Sequence, residues 1–150
     1  MEPVAAVRGG RSVPEDDDWG SIRARIELVE GFTSSALQGL EDFSHVEIIY
    51  VFDRVASDQI VRGARHPRGR ADWPQSGIFA QRGKNRPNRI GVSICRLVRV
   101  EPLALEVEGL DAIDGTPVLD IKPVMREFLP RGEVDQPNWV SEIMAAYWTS

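Results

Sequence analysis

Five segments of this chain are patterned as β-strands, and no stretch between them carries the long helical periodicity that a parallel crossover needs. Ile22, Ala24, Ile26 and Leu28 alternate with Arg23, Arg25 and Glu27, as a half-buried strand should. Residues 46–52 run almost continuously apolar through Ile48, Ile49, Tyr50 and Val51, the pattern of a buried strand. Residues 90–100 and 103–107, separated by Glu101 and Pro102, read as a hairpin, and 118–121 as a short strand closed by Pro123. Short strands with Gly, Pro and Asp turns predict a mainly β fold, a small closed antiparallel β-barrel with short peripheral helices and a C-terminal helix. Helical signal is confined to two places. Thr33 or Ser34 caps a short helix carrying Ala36, Leu37 and Leu40. The C-terminal helix is predicted over 137–147, with Asp135 or Gln136 as cap and Pro137 in its first turn. Its Val140, Ile143, Met144 and Tyr147 form an apolar face suited to core or subunit packing.

The 150 residues suit a single domain over the whole chain. No apolar run reaches the roughly 18 residues that span a bilayer, so no membrane association is expected. Met1 to Gly10 lacks a basic segment followed by an apolar one, and the expected location is cytoplasmic. Cys95 is the only cysteine, which excludes an intrachain disulfide and a cysteine-rich zinc site.

Charge is unevenly placed. The net charge is −5, yet residues 62–99 hold ten Arg or Lys and one acid, Asp72. Such a basic island in an acidic chain is either a polyanion-facing surface or a set of arginines paired with acids elsewhere in the fold. It overlaps the longest irregular stretch, 54–76, whose length marks it as functional or mobile.

Three segments are more specialised than connectors. Residues 77–91 begin as a strand, break at Gly83, turn at Pro87-Asn88 and re-enter a strand at Ile90. Read as a hairpin, this holds Arg82, Arg86 and Asn88 together, guanidinium forks for carboxylate or phosphate beside an amide for a base or ribose edge. The other reading is a structural hairpin whose arginines bind main-chain carbonyls. Residues 109–123 contain the Asp114-Gly115 turn, with Pro117 ahead of a strand and free main-chain groups able to read a purine edge. Asp111, Asp114 and Asp120 are turn formers, metal ligands or partners of a cationic ligand; no accompanying ligand cluster supports metal. Residues 40–53 carry His45 at a strand entry, a candidate base or a hydrogen-bonded structural residue. His66 has no evident partner, Cys95 sits in an apolar strand, and no phosphate-binding or dinucleotide fingerprint is present.

In these segments the chain resembles the TsaA/TrmO-like (YaeB-like) family. The hallmark G-V-F-A-T-R-S-P-x-R-P-N-P-I-G is followed closely by Gly77-Ile-Phe-Ala-Gln-Arg-Gly-Lys-Asn-Arg-Pro-Asn-Arg-Ile-Gly91. Leu40-Glu-Asp-Phe-Ser-His45, Leu110-Asp-Ala-Ile-Asp-Gly-Thr-Pro-Val-Leu-Asp-Ile-Lys-Pro123 and the opening Pro3-Val-Ala-Ala-Val-Arg8 are similar too. The resemblance implies a barrel-type methyltransferase using S-adenosyl-L-methionine, acting on N6 of threonylcarbamoyladenosine in the tRNA anticodon loop. It also implies a homodimer with the cofactor near the subunit contact. Carried over by motif, the cofactor site comprises Phe52, Asp53, Arg82, Val92, Ser93, Asp114, Gly115, Thr116, Pro117 and Val118, with Asp18, Trp19 and Gly20 from an N-terminal loop. Lys84, Arg86 and Asn88, with Arg65 and Arg68 of the basic loop, are the RNA-facing candidates. No general base is singled out, and no metal is expected. Gln81, Gly83-Lys84 and Arg89 depart from Thr, Ser-Pro and Pro of the hallmark. Asp53 stands where tRNA-modifying members often have His, and the second, C-terminal domain of longer members is not expected here. Two other classes remain: an S-adenosylmethionine-binding enzyme or sensor with a small-molecule partner, and a non-catalytic RNA-binding barrel.

Overall fold

The computed structural model describes residues 1–149. Its strands are β1 (Ala5–Arg8), β2 (Arg23–Leu28), β3 (His45–Val51), β4 (Ala64–Arg65), β5 (Ser76–Gly77), β6 (Ile90–Glu101), β7 (Ala104–Glu108) and β8 (Pro117–Pro123), followed by helix α1 (Asn138–Ile143). Six of them close an antiparallel barrel in the order β1-β2-β7-β6-β3-β8, while β4 and β5 pair outside it. The expected closed barrel is the one observed.

Closure follows from alternation. In β3 Val46, Ile48 and Tyr50 are buried, while the residues between them are half-buried. The inward positions of the other strands, Val7, Ile26, Cys95, Leu105, Val107 and Val118, complete one core. Each such buried aliphatic side chain contributes about 1.5–3 kcal/mol relative to exposure. β3 is paired along both edges, to β6 through Val46↔Cys95 and Tyr50↔Gly91, and to β8 through Ile48↔Ile121. β6 serves both β3 and β7, and a register shift between Leu97 and Arg99 lets it bend from one to the other.

Several boundaries differ from expectation. The β6–β7 hairpin turns at Pro102-Leu103, so Leu103 is exposed and β7 begins at Ala104. β8 runs from Pro117 to Pro123, because Lys122 and Pro123 still pair with Glu47 and Val46. The short helix expected after Thr33 is instead two 3-10 turns, Ser34–Leu37 and Leu40–Asp42, separated by Gly39 at φ 87°. α1 is shorter than 137–147. Beyond Ile143 the chain closes i→i−3 bonds, Ala145 N–H to Glu142 and Tyr147 N–H to Met144, and the Ala146 and Tyr147 carbonyls accept from Asp18 and Trp19. No residue of α1 is fully buried, so its apolar face is not part of the barrel core. The predicted hairpin over 77–91 does not form. Gly77 pairs with Ala64, Ile90 pairs with Val51, and 81–89 is an irregular loop between them.

Candidate functional site

Where the end of β3 meets the segment before β8 there is a cavity of about 140 Å³. Trp19, Tyr50 and Phe52 give it aromatic walls, and Asp53, Arg54, Gln59, Lys84, Asp111 and Thr116 supply its polar groups. Tyr50 and Phe52 meet edge to face, with centroids 5.3 Å apart. Gly91 makes room for that pair, since a Cβ there would lie 2.5 Å from Tyr50 Cζ and 2.9 Å from Phe52 Cζ.

Asp111 is the hub of the site. Its Oδ1 accepts from the Tyr50 hydroxyl at 2.9 Å and from Ser93 Oγ, and its Oδ2 accepts from the Tyr147 hydroxyl. Burial, then the Asp111 charge, raises the pKa of both tyrosines above the ordinary phenol value, so they remain donors. Burial, then the same carboxylate, pushes the Cys95 thiol up to about 12. Sequence reasoning left Asp111 among three possible roles and did not find Tyr50 or Tyr147. Its partners lie 61, 18 and 36 residues away, so no local spacing could show the cluster.

The N-terminal loop closes one side. Trp19 is buried, its indole N–H donates to the Glu15 carbonyl at 3.1 Å, and the Arg11 guanidinium lies 4.5 Å from its ring centroid. Trp19 N–H donates to the Tyr147 carbonyl at 2.8 Å, and Asp18 N–H to that of Ala146 at 3.0 Å. The Asp18 carboxylate is occupied by Thr149 Oγ1 at 2.6 Å. Of the three candidates in this loop, Trp19 lines the cavity and Asp18 and Gly20 do not.

The Asp114-Gly115 turn divides similarly. Asp114 Oδ1 accepts from Gly9 N–H at 2.9 Å, and Gly115, at φ 88°, donates to the Val7 carbonyl at 2.7 Å. Both residues tie the turn to β1. Thr116 faces the cavity, Pro117 opens β8, and Val118 is in the core. Arg82 donates to the Val92 carbonyl at 2.7 Å, which joins two further candidates beside Ser93. The hallmark loop and the Asp–Gly turn thus share one cavity through Lys84 and Thr116.

The basic island splits in two. Arg68 pairs with Asp17 at 3.0 Å, Arg70 with Asp72, Arg96 with Glu108 at 3.2 Å and Arg99 with Glu106 at 3.2 Å. Arg68 is therefore a tie between loops rather than an open phosphate contact. Arg65 is also internal, donating to Gln81 Oε1 at 3.2 Å and Asn85 Oδ1 at 3.1 Å. Gln81 returns Nε2 to the Arg65 and Ser76 carbonyls, and a Cβ at Gly83 would sit 2.4 Å from Arg65 Nη2. Two departures from the hallmark are thereby explained as a matched brace around Arg65. Arg86 donates to the Gln81 carbonyl at 2.8 Å and Arg89 to that of Val55 at 2.7 Å. Among the described residues these neutral partners leave Arg65, Arg82, Arg86 and Arg89 without an ion pair, while Lys84 and Asn88 are exposed. His45 Nδ1 bonds Ser44 Oγ at 2.7 Å and His66 Nδ1 the Trp73 carbonyl at 2.7 Å, so both histidines have structural partners away from the cavity.

The family model of the tRNA-methyltransferase O N-terminal domain matches residues 10–128. The chain belongs to this family. Among family relatives, a Pseudomonas aeruginosa protein named as an S-adenosylmethionine-dependent methyltransferase is 36% identical over 131 residues, covering 83% of this chain and 52% of its own. The human tRNA (adenine(37)-N6)-methyltransferase is 38% identical over 112 residues, covering 75% of this chain and 24% of its own. The crystal structure of TrmO from Pseudomonas aeruginosa superposes with a TM-score of 0.74 at 28% identity, covering 93% of this chain and 60% of that one. The chain thus spans about half of that first relative and about a quarter of the human one. Among the described residues no helix is long and apolar enough to cross a membrane.

Proposed function

We propose that this chain uses S-adenosyl-L-methionine to methylate N6 of an adenosine in tRNA, with threonylcarbamoyladenosine in the anticodon loop as acceptor. The observation that carries the reading is the cavity itself, with aromatic walls, the carboxylates Asp53 and Asp111, and Lys84 at its edge beside Arg82 and Arg86. The donor set fits the cofactor, since aromatic faces and carboxylates both attract a desolvated cation. When bound, S-adenosyl-L-methionine supplies a methyl group activated by the sulfonium charge. Trp19, Tyr50 and Phe52 exclude water, and the buried Thr116, whose hydroxyl donates to the Ile113 carbonyl at 2.7 Å, fixes the turn that forms one wall. Arg82, Lys84, Arg86 and Asn88 face the nucleic acid, where guanidinium forks suit phosphate or the threonyl carboxylate. In-line displacement needs positioning and desolvation more than acid–base assistance, which agrees with the engagement of both histidines elsewhere.

The cavity of about 140 Å³ is smaller than the roughly 300–1,000 Å³ of small-molecule pockets. This small volume supports a homodimer reading in which a second protomer completes the wall, and a tRNA acceptor agrees with a cytoplasmic location. The test joins calorimetry with S-adenosylmethionine to mass spectrometry of tRNA nucleosides from a deletion strain. The expected result is donor binding together with loss of methylated threonylcarbamoyladenosine. Donor binding with an unchanged nucleoside level assigns a small-molecule acceptor or a sensor instead. RNA binding without donor binding assigns a non-catalytic RNA-binding barrel.

A further inference from the structure

Three carboxylates lie in or near the cavity, and they are not equivalent. Asp53 is exposed, so solvent screens its charge. Asp114 is exposed and turned to the Gly9 amide. Asp111 is half-buried at the cavity wall, and among the described residues it forms no ion pair. Three hydroxyls stabilise its charge without neutralising it. A carboxylate has about four acceptor positions; Tyr50 and Ser93 occupy Oδ1, and Tyr147 takes one position on Oδ2. One acceptor position and a full negative charge remain, in surroundings less polar than water, where an opposite charge is held more strongly.

Tyr147 lies outside the family-matched residues 10–128. Its side chain bonds Asp111 while its carbonyl accepts from Trp19 N–H at 2.8 Å, so one residue ties two walls of the cavity together. The segment that carries it is anchored again where the Trp73 indole N–H donates to Glu142 Oε2 at 2.8 Å.

We infer that Asp111 is the anion that receives the sulfonium charge of the methyl donor, and that the C-terminal segment, through Tyr147, positions it. This deepens the cofactor reading above and rests on it. Tyr147 is a positioning residue, since it acts through Asp111 and Trp19. The segment beyond the family-matched region is therefore part of the donor site.

S-adenosylmethionine and S-adenosylhomocysteine differ by the methyl group and its sulfonium charge, so their affinity ratio reports the charge partner directly. Calorimetry on the full chain with each ligand tests the assignment. Asp111→Asn should weaken S-adenosylmethionine about tenfold while changing S-adenosylhomocysteine little, a factor at the low end of the coupling measured for close charge pairs. Tyr147→Phe removes one hydroxyl from a partly exposed segment and leaves the barrel folded. It should lower the same ratio about threefold, as loss of one hydrogen bond to a carboxylate does, whereas a merely structural role would weaken both ligands equally. Asp53→Asn should shift the ratio less than Tyr147→Phe. An unchanged ratio in Asp111→Asn or Tyr147→Phe, or a larger effect from Asp53→Asn, overturns the inference while the cofactor reading stands. Binding of neither ligand by the wild-type chain removes both.

Discussion

Gly91 is where the barrel and the site compete for space. Its missing Cβ is filled by the rings of Tyr50 and Phe52, and Tyr50 in turn holds Asp111. Gly91→Ala must displace both rings, and overpacking of this kind costs about 1–3 kcal/mol. Urea unfolding should show that loss, and calorimetry should show weakened S-adenosylmethionine binding; a variant as stable and as tight as wild type would place the rings elsewhere. Cys95, 1% exposed, gives a pH prediction. The unfolded thiol ionises near 9.0, whereas the folded one keeps its proton to about 12. Above pH 9 the unfolded chain therefore binds fewer protons than the folded one, so stability falls as pH rises, by about 1.4 kcal/mol per unit for one such group. The raised phenols of Tyr50 and Tyr147 act in the same direction at higher pH. Urea midpoints across that alkaline range should fall steeply for wild type and less steeply for Cys95→Ala, and equal slopes would remove Cys95 as a cause. Little of this was legible from local sequence. Cys95 could be read as a buried small hydrophobe from its apolar neighbours, but Asp111 acquires its meaning only from hydroxyls brought to it by other elements.

The arginines of β6 and those of the loop before it look alike in sequence and differ in partners. Arg96 and Arg99 lie along a ladder of acids that includes Glu106 and Glu108 on β7. Arg25, chiefly, holds the Glu101 carboxyl below its ordinary range, and Arg23 then Arg96 do so for Glu108. Exposed pairs of this sort are screened by solvent and contribute little to stability. Among the described residues Arg82 and Arg86 have only main-chain acceptors. Arg99→Ala should thus leave tRNA affinity and its salt dependence unchanged. Arg86→Glu should weaken binding and flatten its dependence on salt, because fewer counterions are released. Filter binding across a salt series checks both; equal effects would mean that the whole island faces RNA. β2 was legible because its apolar residues alternate with a period of two, and β3 because its apolar run is nearly continuous. The 77–91 segment was misread because turn residues announce a reversal without naming the strand that follows as partner. Ile90 is drawn to Val51, whose neighbours fill the core, and Gly77 is left for Ala64.

Barrel closure is unevenly secured around the molecule. β3 is paired on both sides over most of its length, whereas β1 has four residues and meets β8 only through Ala5↔Val118 and Ala6↔Pro117. The seam is extended by Val4 N–H to the Val118 carbonyl at 2.8 Å and Val7 N–H to that of Thr116 at 2.9 Å. Proteins open first where few buried contacts and few ladder bonds hold an element. Amide exchange should therefore be faster at Val4 and Val7 than at Ile48 and Tyr50. The same seam ends at Thr116, which lines the cavity, and Gly115 bonds back to Val7. A ligand that fills the cavity binds the closed barrel and not the open one, so it must stabilise closure by mass action. Saturating S-adenosylmethionine should then slow exchange at Val7 and at Gly115 together, more than at residues of the β6–β7 hairpin. Protection confined to the cavity walls, with β1 exchanging as before, would show that ligand binding and closure are independent.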